Sequence, residues 1–258
     1  MRVNMVKVIM LNFIRKILTL SGLLPTLRYS MEGVLLHIRS LNFYPELIID
    51  IGVAKGTTPL LKVFPKSKYL WIEPLLEFES NLKELAKKYK GDYILAAAGS
   101  SVGTLPINVH RAHLEGSSLY KESDGAIFDG QERNIPVVTL DSIKERYQMF
   151  ENILLKIDVQ GAEIDVLKGA LQVLPACEVV ILEVLFFEVL KGIPQFFEVV
   201  AFMKSNGFEV YDIVNGYYRP IDGALFQEDI LFVKENGRFR ITHRYATDEQ
   251  RKIYKIKR

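Results

Sequence analysis

Apolar residues along the chain come in short runs closed by Gly, Pro, Asp or Asn, and between the runs the period lengthens to that of amphipathic helices. Leu47–Ile49, Tyr69–Ile72, Tyr93–Ala98, Ile153–Leu155 and Glu178–Val184 read as buried strands. Leu75–Tyr89, Glu163–Leu174 and Pro194–Ser205 read as the helices between them, with Ile164, Leu167 and Leu171 facing the sheet. Strand and helix in alternation predict an α/β fold around a mostly parallel sheet. Phe208–Val214 and Ile230–Val233 predict a final antiparallel pair joined through residues 215–229. Leu105–His110 and Ile135–Thr139 read as extra strands flanking a long polar loop, Arg111–Asn134, and a loop of that length in a compact domain is functional or disordered.

The ends of the chain follow other patterns. Val3–Leu24 has a wide apolar face at helical spacing, interrupted by Lys7, Arg15 and Lys16, so no stretch is long enough to span a bilayer. It carries no small-residue cleavage site after a clean apolar core, which argues against a signal peptide. Such a helix packs on its own domain or on a sister subunit in a homo-oligomer, or it lies on a membrane surface as a peripheral contact. Met31–Leu41 reads as a second helix. The expected organisation is a helical extension over 1–44, a catalytic-type domain over 45–235, and a basic tail over 236–258 that reads as mobile.

Composition narrows the class. Of 258 residues, 33 are Lys or Arg and 31 Asp or Glu, so no charge excess points to nucleic acid. A 49% hydrophobic chain of this length can bury one large core. Cys177 is the single cysteine, which excludes a disulfide framework, suits the reducing cytoplasm, and reads as a small buried hydrophobe.

Candidate chemistry begins at the first strand. Leu47–Thr58 reads LIIDIGVAKGTT, an apolar run ending in Asp50 with Gly52 and Gly56 behind it and Pro59 ready to start a helix. A strand, a glycine turn and a helix N-terminus form a nucleotide-binding element, and here Gly52 serves the turn rather than the core. The dinucleotide fingerprint is incomplete, since no glycine stands three residues from Gly52 on either side. Glu73-Pro74 closes the second strand, where α/β nucleotide folds grip ribose hydroxyls. Ala97 and Ala98 close the third strand, small enough for a flat ring to lie against the backbone. Asn152–Ala170, NILLKIDVQGAEIDVLKGA, then puts Lys156 and Asp158 on one face of a central strand end, before a turn at Gly161.

Together Asp50–Gly56, Glu73-Pro74, Ala97–Ser100, the Thr139–Ser142 helix start and Leu155–Glu163 closely resemble the FkbM family of methyltransferases, over about residues 47–233. The resemblance implies the class I methyltransferase fold, a Rossmann-like, seven-stranded, mostly parallel sheet with a terminal antiparallel hairpin. It also implies S-adenosylmethionine as cofactor and O-methylation of a sugar, glycan or natural-product hydroxyl. Two positions depart from the pattern. Gln160 stands where the family usually has Glu, and Val53-Ala54 where Ala-Asn is frequent.

These readings assign Asp50, Gly52, Gly56, Glu73, Pro74, Ala97, Ala98 and Asp158 to the cofactor. Asp158 is the first choice for general base, Lys156 orients it, and Glu163 and Glu183 hold acceptor hydroxyls. The loop with His110, His113, Glu115, Ser117, Ser118 and Tyr120 becomes an acceptor-binding lid. No metal is expected, because Asp158 and Glu183 find no third ligand and the two histidines no carboxylate pattern. A nicotinamide oxidoreductase and a non-catalytic nucleotide-binding module are the alternatives. The first lacks a Tyr-x-x-x-Lys pair in the right place, and the second sits badly with an intact Asp50, Gly52, Gly56 and Glu73.

Overall fold

A computed structural model describes residues 28–125 and 130–253. The expected helix over Val3–Leu24 and the last residues of the tail lie outside them. Among the described residues ten strands form two sheets. β1 (Leu47–Ile51), β2 (Lys68–Glu73), β3 (Gly91–Leu95), β7 (Ile153–Ile157) and β8 (Cys177–Leu185) pair in parallel, and β10 (Leu225–Lys234) runs antiparallel between β8 and β9 (Phe208–Tyr218). The main sheet therefore has the order β3–β2–β1–β7–β8–β10–β9. Strand order reverses between β1 and β7, and the crevice above that point is where open α/β sheets bind ligands.

The strands are apolar on both faces because helices cover both faces. On one side α1 (Met31–Ser40), α2 (Thr58–Val63) and α3 (Glu79–Lys88) bury Val34, Leu35, Ile38, Leu60 and Leu82 against Ile48, Leu154 and Ile181. On the other, α4 (Glu163–Lys168) and α5 (Phe196–Ser205) bury Val166, Leu167, Val199 and Met203 against Ile49, Leu155 and Leu182. Each fully buried Leu or Ile stabilises by about 1.5–3 kcal/mol, so the sheet position of a strand end is firmly held. α1 starts at Ser30, whose Oγ accepts from the Gly33 amide, and its first amide donates to Asn215 Oδ1. Residues 31–43 are thus packed into the domain rather than appended to it.

The expected third strand over Tyr93–Ala98 breaks at Ala96. Its end becomes β4 (Ala97–Ala98), which leaves the main sheet to pair with β6 (Gln131–Val138), itself antiparallel to β5 (Gly103–Val109). This second sheet stands over the C-terminal edge of the first. The helix expected over Glu163–Leu174 stops at Lys168, and Gly169 caps it where only a glycine fits, since a Cβ there would come within 2.1 Å of the Gly99 carbonyl oxygen. The closing hairpin is longer than predicted, reaching Tyr218 on one strand and Leu225 on the other. The basic tail is not free from its start. Phe239 packs edge-on against Phe43 and Arg238 donates to the Asn42 carbonyl. A short helix, α6 (Asp248–Ile253), follows.

Candidate active site

The turn after β1 is built from left-handed backbone. Gly52, Ala54 and Gly56 all have positive φ, at 75°, 46° and 103°. Gly52 is constrained twice, since a Cβ there would lie 1.7 Å from the Asp158 carbonyl oxygen. The expectation that Gly52 serves only the turn is therefore corrected: it also lets the exits of β1 and β7 lie against each other. Thr57 Oγ1 donates to Asp50 Oδ1 at 3.1 Å, and the Asp50 Oδ2 is buried with no hydrogen-bond partner. Burial pushes the Asp50 carboxyl above its ordinary range, against the pull of the Lys156 ammonium 3.9 Å away.

Glu73, at the tip of β2, accepts from the amides of Ala54 and Leu75, both at 2.9 Å. One carboxylate thereby ties the glycine turn to the start of the next segment. Burial raises its pKa, and the two amide donors oppose the shift. Beside it Leu75, Phe78, Ala97 and Ile107 form an apolar wall, closed from above by Leu114 and Leu119 of the loop after β5. Lys55 Nζ meets Glu115 Oε1 at 2.6 Å, and Ser118 Oγ donates to the Gln160 carbonyl at 2.7 Å, so the loop is fixed at both ends of the opening. The exposed ion pair contributes at most ~1 kcal/mol. The enclosed cavity is about 420 Å³, within the ~300–1,000 Å³ usual for small-molecule sites.

The opposite wall carries charge. Lys156 is buried with its Nζ 2.9 Å from Asp158 Oδ2. Burial works against its charge, but the Asp158 and Asp50 carboxylates prevail and hold the ammonium above its ordinary range. Gln160 Nε2 donates to Asp158 Oδ1 at 3.1 Å and to Glu183 Oε1 at 2.7 Å, and Gln227 Nε2 donates to Glu183 Oε2 at 2.9 Å. Burial, with Asp158 and Asp229 nearby, pushes the Glu183 carboxyl up to about 9. Asp229, paired with Glu183 across β8 and β10, accepts from Asn215 Nδ2 at 2.6 Å and is pushed up to about 6, chiefly by burial.

Gly52, Gly56, Glu73, Pro74, Ala97, Ala98, Lys156, Asp158 and Glu183 thus line one cavity. Asp50 and Glu163 do not. Asp50 lies beneath the turn. Glu163 is turned inward, accepting from the Val159 and Gly161 amides at 3.2 Å each, so it pins the β7–α4 turn instead of holding an acceptor. The loop expected over the acceptor reaches the glycine turn as well, through Lys55–Glu115. Gln227 and Gln160 are the residues whose roles sequence reasoning missed. For Gln227 a signal existed, since Gln227 and Asp229, spaced by two, share one face of a strand whose next four residues are apolar. Among the described residues no group of three or more His, Cys, Asp or Glu side chains is arranged to hold a metal ion, and no helix is long and apolar enough to cross a membrane.

A family model, the methyltransferase FkbM domain, matches residues 50–210, a span that holds the Asp50–Gly56 turn, Glu73 and Asp158. The chain belongs to the FkbM methyltransferase family. S-adenosylmethionine is accordingly its cofactor, and the seven-stranded, mostly parallel sheet with its terminal antiparallel hairpin is the fold that the family resemblance implies. A search of curated proteins gave no match. Similar solved structures include the magnesium protoporphyrin IX methyltransferase of Synechocystis with bound S-adenosylmethionine, at 9% identity, covering 79% of this chain and 77% of that one with a TM-score of 0.45. An S-adenosylmethionine-dependent methyltransferase of Clostridium acetobutylicum is 10% identical, over 78% and 89%, with a TM-score of 0.44. A precorrin-6y C5,15-methyltransferase of Geobacter metallireducens is 9% identical, over 79% and 86%, with a TM-score of 0.40.

Proposed function

We propose that this FkbM methyltransferase O-methylates a hydroxyl of a sugar, glycan or natural product, with Asp158 as the general base. The reading is carried by one observation: a carboxylate at the mouth of the cavity, its side chain 26% exposed, with a buried ammonium on one oxygen and an amide on the other. The cofactor supplies a methyl already activated on a sulfonium. What remains for the protein is to align a nucleophile and take its proton. Asp158 accepts that proton, and Lys156, shared between Asp158 and Asp50, keeps the charge balanced before and after transfer. Glu183 and Gln227 offer hydrogen bonds to the acceptor from the far wall.

The cofactor half fits the same scheme. The Glu73 oxygens each accept one amide and have a lone pair left for the ribose hydroxyls. Leu75, Phe78, Ala97 and Ala98 give a flat ring an apolar slot, and the Gly52–Gly56 turn takes the amino-acid end.

Asp158→Asn keeps size and hydrogen bonding but removes the base. Turnover is expected to fall roughly 10²–10⁴-fold, with cofactor affinity changed only a few-fold. The test is single-turnover transfer from labelled S-adenosylmethionine to hydroxyl acceptors selected by mass-spectrometric detection of methylated products in glycan and lipid extracts. Full turnover in the variant would overturn Asp158 as base, and transfer only to amine acceptors would overturn O-methylation.

A further inference from the structure

Gln160 has three unusual properties at once. Its backbone is left-handed, with φ at 53°, a conformation that a long side chain adopts only when its surroundings fix it. Its carbonyl accepts the buried Ser118 hydroxyl from the loop that roofs the cavity. Its amide nitrogen lies between two carboxylates, 3.1 Å from Asp158 and 2.7 Å from Glu183. Left alone, two carboxylates that close repel, and both would swing away or share a proton. One NH₂ group has two N–H donors, enough to satisfy one oxygen of each.

We propose that Gln160 is a positioning residue: its amide spans Asp158 and Glu183 and holds them as a fixed two-carboxylate cradle for the acceptor hydroxyl. The assignment rests on the reading of Asp158 as base, but concerns where the carboxylates are held rather than which of them takes the proton. The roofing loop anchors the Gln160 backbone through Ser118, so the cradle is built on the same segment that encloses the cofactor. Gln227 completes it by donating to the second Glu183 oxygen. A glutamate in place of Gln160 would face two carboxylates with a third, and the bridge would be lost.

The charges around Glu183 come from each element packed on it: Asp158 and Lys156 from β7 and its exit, Asp229 from β10, and Glu163 from the start of α4. Burial, chief among the causes, raises its pKa to about 9. A donor on Oε1 stabilises the ionised form, so removing that donor must raise the midpoint further.

The test is a pH titration of the Glu183 carboxyl by ¹³C NMR in the full chain labelled at glutamate Cδ, with Glu183→Gln identifying the resonance. Gln160→Asn suits a left-handed backbone but is one methylene short, and should raise the midpoint by about one pH unit. Gln160→Glu should raise it more. If Gln160→Asn does not fold, Gln160→Gly accepts the same φ and gives the same readout. An unchanged midpoint in the folded variants overturns the proposal, as does a midpoint that moves in Gln227→Leu but not in Gln160→Asn. Failure of Asp158 as base would appear in turnover and leave this titration as predicted, so the two readings fail separately.

Discussion

The two halves of the cavity, proposed above as a cofactor half and an acceptor half, are made of different material. The cofactor half is backbone: a left-handed turn, two amides on Glu73, and a carbonyl so near Gly52 that no side chain fits. Its parts lie close together in sequence, from Gly52 to Phe78, with Ala97 and Ala98 following on β4. The acceptor half is side chains: Lys156, Asp158, Gln160, Glu183 and Gln227, joined across sequence separations of up to 44 residues. Backbone geometry leaves a fingerprint of glycines and a strand-end acid, while a side-chain network leaves only scattered polar letters. On that proposal the first half constrains the cofactor, and the second is free to vary with the acceptor.

The sharpest way to break this comparison is at Gly52, where the halves touch. Gly52→Val adds atoms where the Asp158 carbonyl already stands and strains a positive φ. It should cost about 3 kcal/mol of stability or more, seen as a large fall in the urea midpoint, and should damage both halves together. A variant of normal stability would mean that the two turns are independent.

Glu163 tests whether the acceptor half rests on a buried acid. Burial, opposed by the amides it accepts from, raises its pKa to about 7 from an ordinary 4.5. The folded state therefore holds a proton that the unfolded chain releases between those values. Its contribution to stability is fully present below pH 4.5 and is lost as pH rises through 7. Glu163→Gln removes this dependence, so the variant should gain on the wild type by about 1–3 kcal/mol across that window. Parallel stability curves in denaturant titrations would place Glu163 in water instead. The raised carboxyls of Glu183 and Asp229 are common to both proteins and cancel in the difference.

The smallest effect is expected at the N-terminus. Deleting residues 1–24 should alter association state or binding to anionic vesicles while changing cofactor affinity less than about twofold, because the helix expected there from the sequence pattern would act through its apolar face. A folded truncation that no longer binds the cofactor would join that segment to the cofactor half.

Legibility follows the same division. Each strand of the main sheet overlaps a predicted run and extends beyond it, because an apolar stretch marks the buried middle of a strand better than its ends. The break at Ala96 was invisible, since Ala96, Ala97 and Ala98 are as apolar as a continuous strand, and only pairing with Val137 and Val138 reveals the second sheet. Lys156 and Asp158 stood out as charges at the end of a buried run. Glu163 looked alike in sequence, but its direction is set by the turn at Gly161, whose amide it accepts. Gln160 and Gln227 are uncharged and lie 67 residues apart, so their meeting on Glu183 is a tertiary fact.

The division itself is tested most directly by calorimetric titration of S-adenosylmethionine into Glu73→Ala and Glu183→Gln, each first shown to be folded by near-UV circular dichroism. Glu73→Ala should lose about 1.5–3 kcal/mol of binding, from charge-assisted hydrogen bonds to two hydroxyls, roughly a ten- to hundredfold rise in Kd. Glu183→Gln should bind as the wild type does. Equal losses in the two variants, or a loss confined to Glu183→Gln, would contradict a cofactor half built on Glu73 and an acceptor half built on Glu183.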